Sequence, residues 1–539
     1  MNRRLFLRLF TLATTVPVLP PIGRANAAAS PGDFRARTPQ FPWNEATLDQ
    51  LQAAMQSGRI STRGLARAYL DRIDAIDRHG PRLNAVIELN PDALLRAAEL
   101  DAERRQGRIR GPLHGIPILL KDNIDTGDRM MTTAGSLALA GPGPARDAFL
   151  VTRLREAGAV ILGKTNLSEW ANFRSTRSTS GWSGRGGQTA NPYVLDRNPS
   201  GSSSGSAVAV AANLCAVAVG TETDGSIMSP SSFCGLVGVK PTLGLVSRGG
   251  IIPIAASQDT AGPMARTVTD ALLLLAAMAG ADPADPASGA AGRPLPVIDR
   301  ATLNPAALKG ARLGIVRQYF GTHPEADLVI ERALQRIREA GATLLDPVSI
   351  PSIGKFGDGE FELLLWEFKA GLNRYLAERQ PVPPIRSLAD LIAFNERHAG
   401  RELRHFGQEI LLRAQAKGPL TEPAYLETLA RNRRLARAEG IDAVMDQHRL
   451  DALVAPTTGP AHVTDPVYGD RDTGGSTSLA AVAGYPSVTV PAGFVRELPV
   501  GLSLFGRAFS EAKLLGLAYA FEQSTLARRP PAFLPTQPA

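Results

Sequence analysis

The sequence predicts an α/β fold with a mixed, largely parallel central sheet that helices cover on both faces. Short apolar runs of strand length alternate along the chain with longer segments whose apolar residues recur at helical spacing. This alternation is typical of parallel strands joined by helical crossovers, because a tight turn cannot close a parallel pair. The composition, 44% apolar and 20% charged over 539 residues, is that of a globular chain and excludes collagen, coiled coil and extended disorder. We expect one large core.

The order of the predicted elements follows from the periodicity of the apolar residues. Helices are expected over residues 47–55, 63–76, 90–105 and 148–156, and strands over 116–120, 159–162, 214–219, 312–316, 452–454 and 487–490. Residues 358–447 lack strand patterns and contain long helical ones. We therefore expect a helical insertion over the sheet there, which would supply walls for a substrate.

The first 27 residues predict a signal peptide. Arg3 and Arg4 precede an apolar stretch that ends at an A-x-A sequence, residues 25–27, and the pair resembles the twin-arginine export signal. We expect a periplasmic or secreted protein with a mature chain of residues 28–539. The alternative is an amphipathic anchor or a fortuitous basic start. This segment carries four arginines and no acid, so its removal lowers the formal net charge from +8 to +4. Without a basic cluster elsewhere, that charge excludes a nucleic-acid partner.

The rest of the chain predicts neither a membrane span nor a zinc site. No uninterrupted apolar run in the mature chain reaches the roughly 18 residues that a spanning helix needs. The two cysteines, Cys215 and Cys234, are too few for a zinc site and no metal-binding histidine motif accompanies them. Both lie among small apolar residues, which favours buried free thiols over a disulfide.

One motif match is interpreted as accidental. Residues 158–165 fit the G-x-x-x-x-G-K-[ST] pattern of a phosphate-binding loop. Such a loop turns tightly with its amides pointing inward, whereas the central residues here are Ala, Val, Ile and Leu, which favour a strand. We predict a strand and no nucleotide site.

Candidate catalytic residues lie between Leu119 and Pro263. Lys121 ends a predicted strand at the sheet edge where functional side chains collect, and an apolar setting would lower its pKa enough for it to act as a base near pH 7. Residues 220–227 form a tight turn after a strand, where a serine would face several backbone amides. The Ser- and Gly-rich loop before it also contains a G-x-S-x-G pattern that would make Ser203 the nucleophile, but a loop rather than a strand precedes that pattern.

These motifs together resemble the amidase signature family. Its Gly/Ser pattern aligns with SGSSSGSA at residues 200–207, its G-T-D-T-G-G-S-I pattern with GTETDGSI at residues 220–227, and its G-x-P-x-x-x-K-D pattern with residues 115–122. Further matches follow in order, and the resemblance extends over essentially the whole mature chain. It implies that residues 28–539 form a single large amidase-signature domain.

The resemblance also implies roles for individual residues. The family's Ser-Ser-Lys triad falls on Ser226 as nucleophile, on Ser202 as bridging serine after a cis peptide bond, and on Lys121 as base. The family's oxyanion hole falls on the backbone amides of Thr223, Asp224, Gly225 and Ser226. Asn172 and Ser203 are candidate substrate contacts, and a capped helix end is the alternative for Asn172.

The implied reaction is hydrolysis of a carboxamide to a carboxylic acid and ammonia through an acyl-enzyme on Ser226, with no metal or organic cofactor. Within the family the alternatives are a broad aliphatic or aryl amidase and the amidotransferase subunit that feeds ammonia to misacylated transfer RNA. The latter works in the cytoplasm with a partner, which conflicts with the predicted export. A non-catalytic binding protein is opposed by the three intact triad residues. We expect a small-molecule or peptide amide as substrate and a monomeric protein.

Three departures from the family's usual pattern bear on the substrate. Glu222 replaces an aspartate, Asp224 a glycine and Met228 an arginine. With the sequences of residues 166–172 and 181–189, they make the chain most similar to bacterial peptide amidases, which remove the C-terminal carboxamide of peptides. If Asp224 points into the site, it would select a polar or cationic leaving side; otherwise it faces solvent.

Overall fold

A single large sheet organises the part of the chain that the computed structural model describes, residues 40–288 and 296–538. The predicted signal peptide, residues 1–27, lies outside these residues, and the export it implies stays a prediction. The strands are β1 (Val86–Leu89), β2 (Pro117–Lys121), β3 (Val160–Thr165), β4 (Trp182–Ser183), β5 (Gly187–Gln188), β6 (Val217–Glu222), β7 (Val237–Lys240), β8 (Thr260–Ala265), β9 (Arg312–Val316), β10 (Thr343–Val348), β11 (Ala452–Pro456), β12 (Ser487–Val495) and β13 (Leu498–Phe505). Among the described residues, eleven strands form the sheet in the order β1-β3-β2-β6-β8-β7-β12-β13-β11-β9-β10, and β4 pairs with β5 separately.

Two strands of this sheet have parallel neighbours on both sides. β2 pairs with β3 and β6, and β9 pairs with β10 and β11. The other pairs of the sheet are antiparallel, among them the β12–β13 hairpin. Every residue of β2 and β6 is buried, and because successive side chains on a strand point to opposite faces, both faces are covered there. The predicted α/β class with a mixed central sheet is confirmed.

Helices connect and cover the strands. They are α1 (Leu48–Gln56), α2 (Thr62–Arg72), α3 (Ala93–Arg105), α4 (Phe149–Glu156), α5 (Ser204–Ala211), α6 (Met228–Phe233), α7 (Val268–Met278), α8 (Pro324–Glu339), α9 (Gly357–Glu378), α10 (Leu388–Arg397), α11 (Ala399–Glu402), α12 (Glu409–Gln415), α13 (Pro423–Ala436), α14 (Asp442–His448), α15 (Thr477–Ala483) and α16 (Glu511–Thr525). Thr47 and Gln50 begin α1 with a capping box, in which each side chain accepts the other's backbone N–H. The four helices predicted before residue 160 are confirmed, with small differences at their ends.

Helix α5 packs against the centre of the sheet and thereby fixes the serine-rich loop that precedes it. All eight of its residues are buried. A Cβ atom on Gly205 would lie 2.3 Å from the carbonyl oxygen of Ala85 and 2.5 Å from that of Asn166, too close for any side chain. The Ser- and Gly-rich composition of this stretch therefore reflects close backbone packing.

Between β10 and β11 the described chain forms the helices α9 to α14, and α9, α10 and α12 share a buried apolar cluster with the loop that follows β3. The rings of Phe173 in that loop and Phe368 in α9 lie 5.1 Å apart. Arg174, which has no exposed surface, pairs with the carboxylate of Glu169 and donates a hydrogen bond to the carbonyl of Glu402 in α11 (2.6 Å). The buried Arg174 side chain thus joins this helical region to the loop through its hydrogen bond to Glu402.

Both cysteines are buried and free, which confirms the favoured prediction. Burial raises the pKa of the Cys215 thiol to about 12, so this thiol remains protonated at neutral pH.

Among the described helices, none combines the length and the apolar character needed to cross a bilayer.

The buried Arg174 pair should contribute strongly to stability. Arg174→Met leaves Glu169 and Glu402 in the interior without a cation and should lower the free energy of unfolding by about 3–5 kcal/mol. The matched control is Arg300→Met, because Arg300 pairs with Asp49 on the surface, where such a loss costs less than about 1 kcal/mol. Denaturant unfolding followed by circular dichroism measures both variants, and equal losses would contradict this interpretation.

Candidate active site

Lys121 is the last residue of β2 and is completely buried. Because β2 lies between two parallel neighbours, its carboxyl end opens at the edge of the sheet where functional groups collect. Burial lowers the pKa of Lys121 from its ordinary value near 10.5 to about 7, against the opposing influence of the carboxylates of Glu222 and Asp259. A large share of this amine is therefore neutral near pH 7.

The hydrogen bonds of Lys121 suit a neutral amine. Its Nζ lies 2.7 Å from Ser202 Oγ, 2.9 Å from Thr221 Oγ1 and 3.2 Å from the carbonyl oxygen of Thr221. A neutral amine has two N–H donors and one lone pair. Since the Thr221 carbonyl can only accept, both N–H groups can be directed to Thr221, which leaves the lone pair for the hydroxyl proton of Ser202.

Ser202 and Ser203 stand side by side but have different contacts. The peptide bond between Gly201 and Ser202 is cis, as the resemblance implies. The Ser202 hydroxyl meets Lys121, whereas the Ser203 hydroxyl donates to the carbonyl of Thr221 (3.0 Å) and accepts its N–H (3.2 Å). These bonds occupy the fully buried Ser203 hydroxyl, so neither Ser203 as the nucleophile nor a substrate contact for Ser203 has geometric support.

Ser226 lies on the turn that links β6 to α6 and retains 8% exposure. The backbone N–H of Ser203 donates to the carbonyl of Ser226 (3.1 Å), which holds the two serine segments together. Within residues 40–288 and 296–538 no hydrogen bond joins the hydroxyls of Ser202 and Ser226. The structure thus brings Lys121 and Ser202 into direct contact and places Ser226 beside them through the backbone.

The backbone amides of this turn are free to bind an oxyanion. Gly225 has a φ of 79°, a conformation that other residues rarely adopt. In the described part of the chain, the N–H groups of Asp224, Gly225 and Ser226 have no hydrogen-bond acceptor. Unpaired, adjacent N–H groups beside a candidate nucleophile are the donors that an oxyanion hole requires.

Side chains on the turn anchor it on several sides. A carboxylate oxygen of Glu222 accepts the N–H groups of Ile227 (2.7 Å) and Met228 (3.0 Å), so it spans the turn from one end to the other. Burial raises the pKa of Glu222, and the positive charge of Lys240 opposes this increase. Asp224 neither points freely into a cleft nor faces bulk solvent: it is half-buried and accepts hydrogen bonds from two hydroxyls of α15.

A cavity of about 650 Å³ borders this site. Its wall includes Asn123 and residues 221–223, which neighbour Lys121 and the serine turn, and Tyr375 of α9. Asn123 donates to Thr221 Oγ1 (3.0 Å), the atom that also meets Lys121. Sequence reasoning did not select Asn123 or Thr221, although Thr221 lies within the matched motif of residues 220–227 and Asn123 directly follows that of residues 115–122.

Asn172 lies on a turn in which three successive residues, 170–172, have positive φ angles. Its side-chain oxygen is buried and has no hydrogen-bond partner among the described residues. A capped helix end would give that oxygen a backbone partner, so the alternative interpretation of Asn172 has no geometric support.

In the same described residues, no group of three or more His, Cys, Asp and Glu side chains is arranged to hold a metal ion.

The chain is similar over most of its length to known amidases. A family model described as Amidase matches residues 65–515. A probable amidase from Arabidopsis thaliana is 45% identical, over 92% of this chain and 93% of that protein. A subunit of the glutamyl-tRNA(Gln) amidotransferase from Moorella thermoacetica is 37% identical, over 89% of this chain and 96% of that one.

Solved structures share both fold and sequence with the chain. The peptide amidase PAM, in complex with the competitive inhibitor chymostatin, is 57% identical with a TM-score of 0.88, covering 91% of this chain and 100% of that one. The native peptide amidase from Stenotrophomonas maltophilia is 56% identical with a TM-score of 0.86, over 91% and 99%. An amidase family protein from Bacillus anthracis is 37% identical with a TM-score of 0.81, over 90% and 92%.

The low pKa of Lys121 can be measured directly. In lysine-labelled protein, which has eight lysines, we expect one NMR resonance to titrate with a midpoint of about 7 and a second, from Lys240, near 8. Lys121→Met should remove the first resonance and leave the second. If every lysine titrates above pH 9, burial does not neutralise Lys121.

Proposed function

The chain belongs to the amidase family, whose members hydrolyse amide C–N bonds, and we propose that its substrate is the C-terminal carboxamide of a peptide. The observation that carries this proposal is the similarity to two peptide amidase structures, which exceeds that to the general amidases over a comparable share of the chain. The residues of the site provide the chemistry for such a reaction.

In this proposal Ser226 is the nucleophile, Ser202 the bridging serine and Lys121 the base. The lone pair of Lys121 takes the hydroxyl proton of Ser202 while Ser202 takes that of Ser226, and Ser226 Oγ attacks the carboxamide carbon. The second transfer needs Ser226 Oγ to come within hydrogen-bonding distance of Ser202 Oγ. Catalytic hydrogen bonds commonly tighten in this way when substrate binds.

The oxygen of the tetrahedral intermediate is then stabilised by the turn. The carbonyl oxygen becomes negatively charged as the bond to Ser226 forms, and the N–H groups of residues 223–226 donate to it. One donor of this kind typically contributes about 2.7–4 kcal/mol to transition-state stability. Because the donors belong to a turn already fixed by Glu222 and its neighbours, little reorganisation is needed during the reaction.

Collapse of the intermediate releases ammonia. The proton held by Lys121 returns through Ser202 to the departing nitrogen, the C–N bond breaks, and an ester remains on Ser226. Water attacks this ester with the same relay acting as base, which releases the peptide carboxylic acid and restores the serine.

The buried, unpartnered oxygen of Asn172 is an acceptor suited to an amide N–H of the substrate.

The proposal is tested by ammonia release from a C-terminally amidated dipeptide, compared with simple aliphatic and aryl amides. We expect the peptide amide to be the best substrate. Ser226→Ala should lower the rate by at least about 10³-fold, because the nucleophile is lost. Ser203→Ala should stay within about tenfold of the parent protein.

The outcomes separate mechanism from substrate. Release from simple amides alone, abolished by Ser226→Ala, would keep the serine mechanism and contradict the peptide substrate. If Ser203→Ala loses activity while Ser226→Ala retains it, the nucleophile is Ser203. No release from any amide would favour the non-catalytic alternative.

A further inference from the structure

The side chain of Asp224 connects the nucleophile turn to a distant helix. Thr477 donates its hydroxyl to one carboxylate oxygen of Asp224 (2.6 Å), and Ser478 donates its hydroxyl to the other. Both residues belong to the first turn of α15 and lie more than 250 positions away in sequence. Two hydroxyl donors on two carboxylate oxygens fix the side chain in both position and rotation.

A second connection runs from Asp224 to the helical region. Glu360 of α9 is buried, forms a hydrogen bond with Asp224 and accepts another from the Gln258 side chain (2.8 Å). Burial and the charge of Asp224 raise the pKa of Glu360 well above its ordinary value. A hydrogen bond between two carboxyl groups requires one proton between them. Because two hydroxyls already donate to Asp224, this proton belongs to Glu360, which donates it to Asp224.

The backbone at this position has a separate task. The N–H groups of Asp224 and its two successors are without acceptors in the described chain and face the oxyanion in the proposed mechanism. A glycine, which the resemblance gives as usual here, has no side chain with which to fix them. Small displacements of such donors are costly, since a misplacement of about 1 Å can lower a rate about 10²-fold.

We propose that Asp224 is a positioning residue, whose carboxylate ties the oxyanion turn to α15 and α9 and so holds its N–H groups in place for the reaction. Among the described residues, no hydrogen bond joins the Asp224 side chain to Lys121, Ser202 or Ser226. Two further contacts support the same function of the turn: Thr223 donates to Asp259 (2.6 Å), and Glu222 accepts from its far end. This inference rests on the proposed function, because it assigns the turn to the oxyanion.

The test removes the donors and leaves the turn itself intact. In the double variant Thr477→Val with Ser478→Ala, Asp224 loses both hydroxyl partners, and we expect kcat to fall about 10- to 100-fold with KM changed less than about twofold. Affinity for a peptide aldehyde, whose adduct places an oxyanion in the turn, should fall by a similar factor. Affinity for the peptide carboxylate product should not change.

Two controls distinguish positioning from general damage. Thr477→Ser with Ser478→Thr keeps both hydroxyls and should retain kcat. Ser476→Ala removes a buried hydrogen bond to the carbonyl of Pro456 at the start of the same helix without touching Asp224, and should also retain kcat. Thermal melts establish that each variant is folded, and Asp224→Asn provides an independent loss of the same contacts.

The inference is overturned if the double variant keeps its kcat, or if Ser476→Ala loses as much. It is also overturned if KM and aldehyde affinity change while kcat does not. All variants are assayed on the carboxamide that the parent protein hydrolyses fastest, and the aldehyde and carboxylate carry the acyl group of that carboxamide, so failure of the peptide-substrate proposal does not affect the result. An active Ser226→Ala in the same assay would instead contradict the proposed mechanism.

Discussion

Burial of one lysine amine is the constraint on which the site depends. Lys121 has no exposed surface, and its hydrogen bonds go to Ser202 and Thr221. Burial penalises the charged form and leaves a base beside a serine near neutral pH. Every residue of β2 and β6 is buried, so the amine lies in a low-dielectric interior that disfavours its charged form.

Acidic side chains on the turn and beside it hold the turn in place. Glu222, Asp224 and Asp259 each accept hydrogen bonds from groups on or around the turn, and each is buried or half-buried. Carboxylates accept several hydrogen bonds at once, so a few of them fix a short backbone segment. The negative charges of Glu222 and Asp259 oppose the low pKa of Lys121, and burial of the lysine outweighs them.

Local sequence was sufficient to predict much of the sheet and to select Lys121 and Ser202, which the structure brings into contact. Lys121 at a strand end and the serine turn of residues 220–227 are contiguous signals. Strands such as β8, with the sequence TAGPMA, were missed because Gly and Pro mask an apolar pattern. Thr477 and Glu360 could not be predicted as partners of Asp224, because only the packing of α15 and α9 brings them together.

The central claim is that the buried lysine activates Ser226 through Ser202 for covalent catalysis. It is tested most directly by trapping the acyl-enzyme: a peptide ester that acylates faster than it deacylates is mixed with the protein, quenched in acid and mapped by peptide mass spectrometry. The mechanism predicts one acyl group, on Ser226. An acyl group on Ser202 or Ser203 would contradict it.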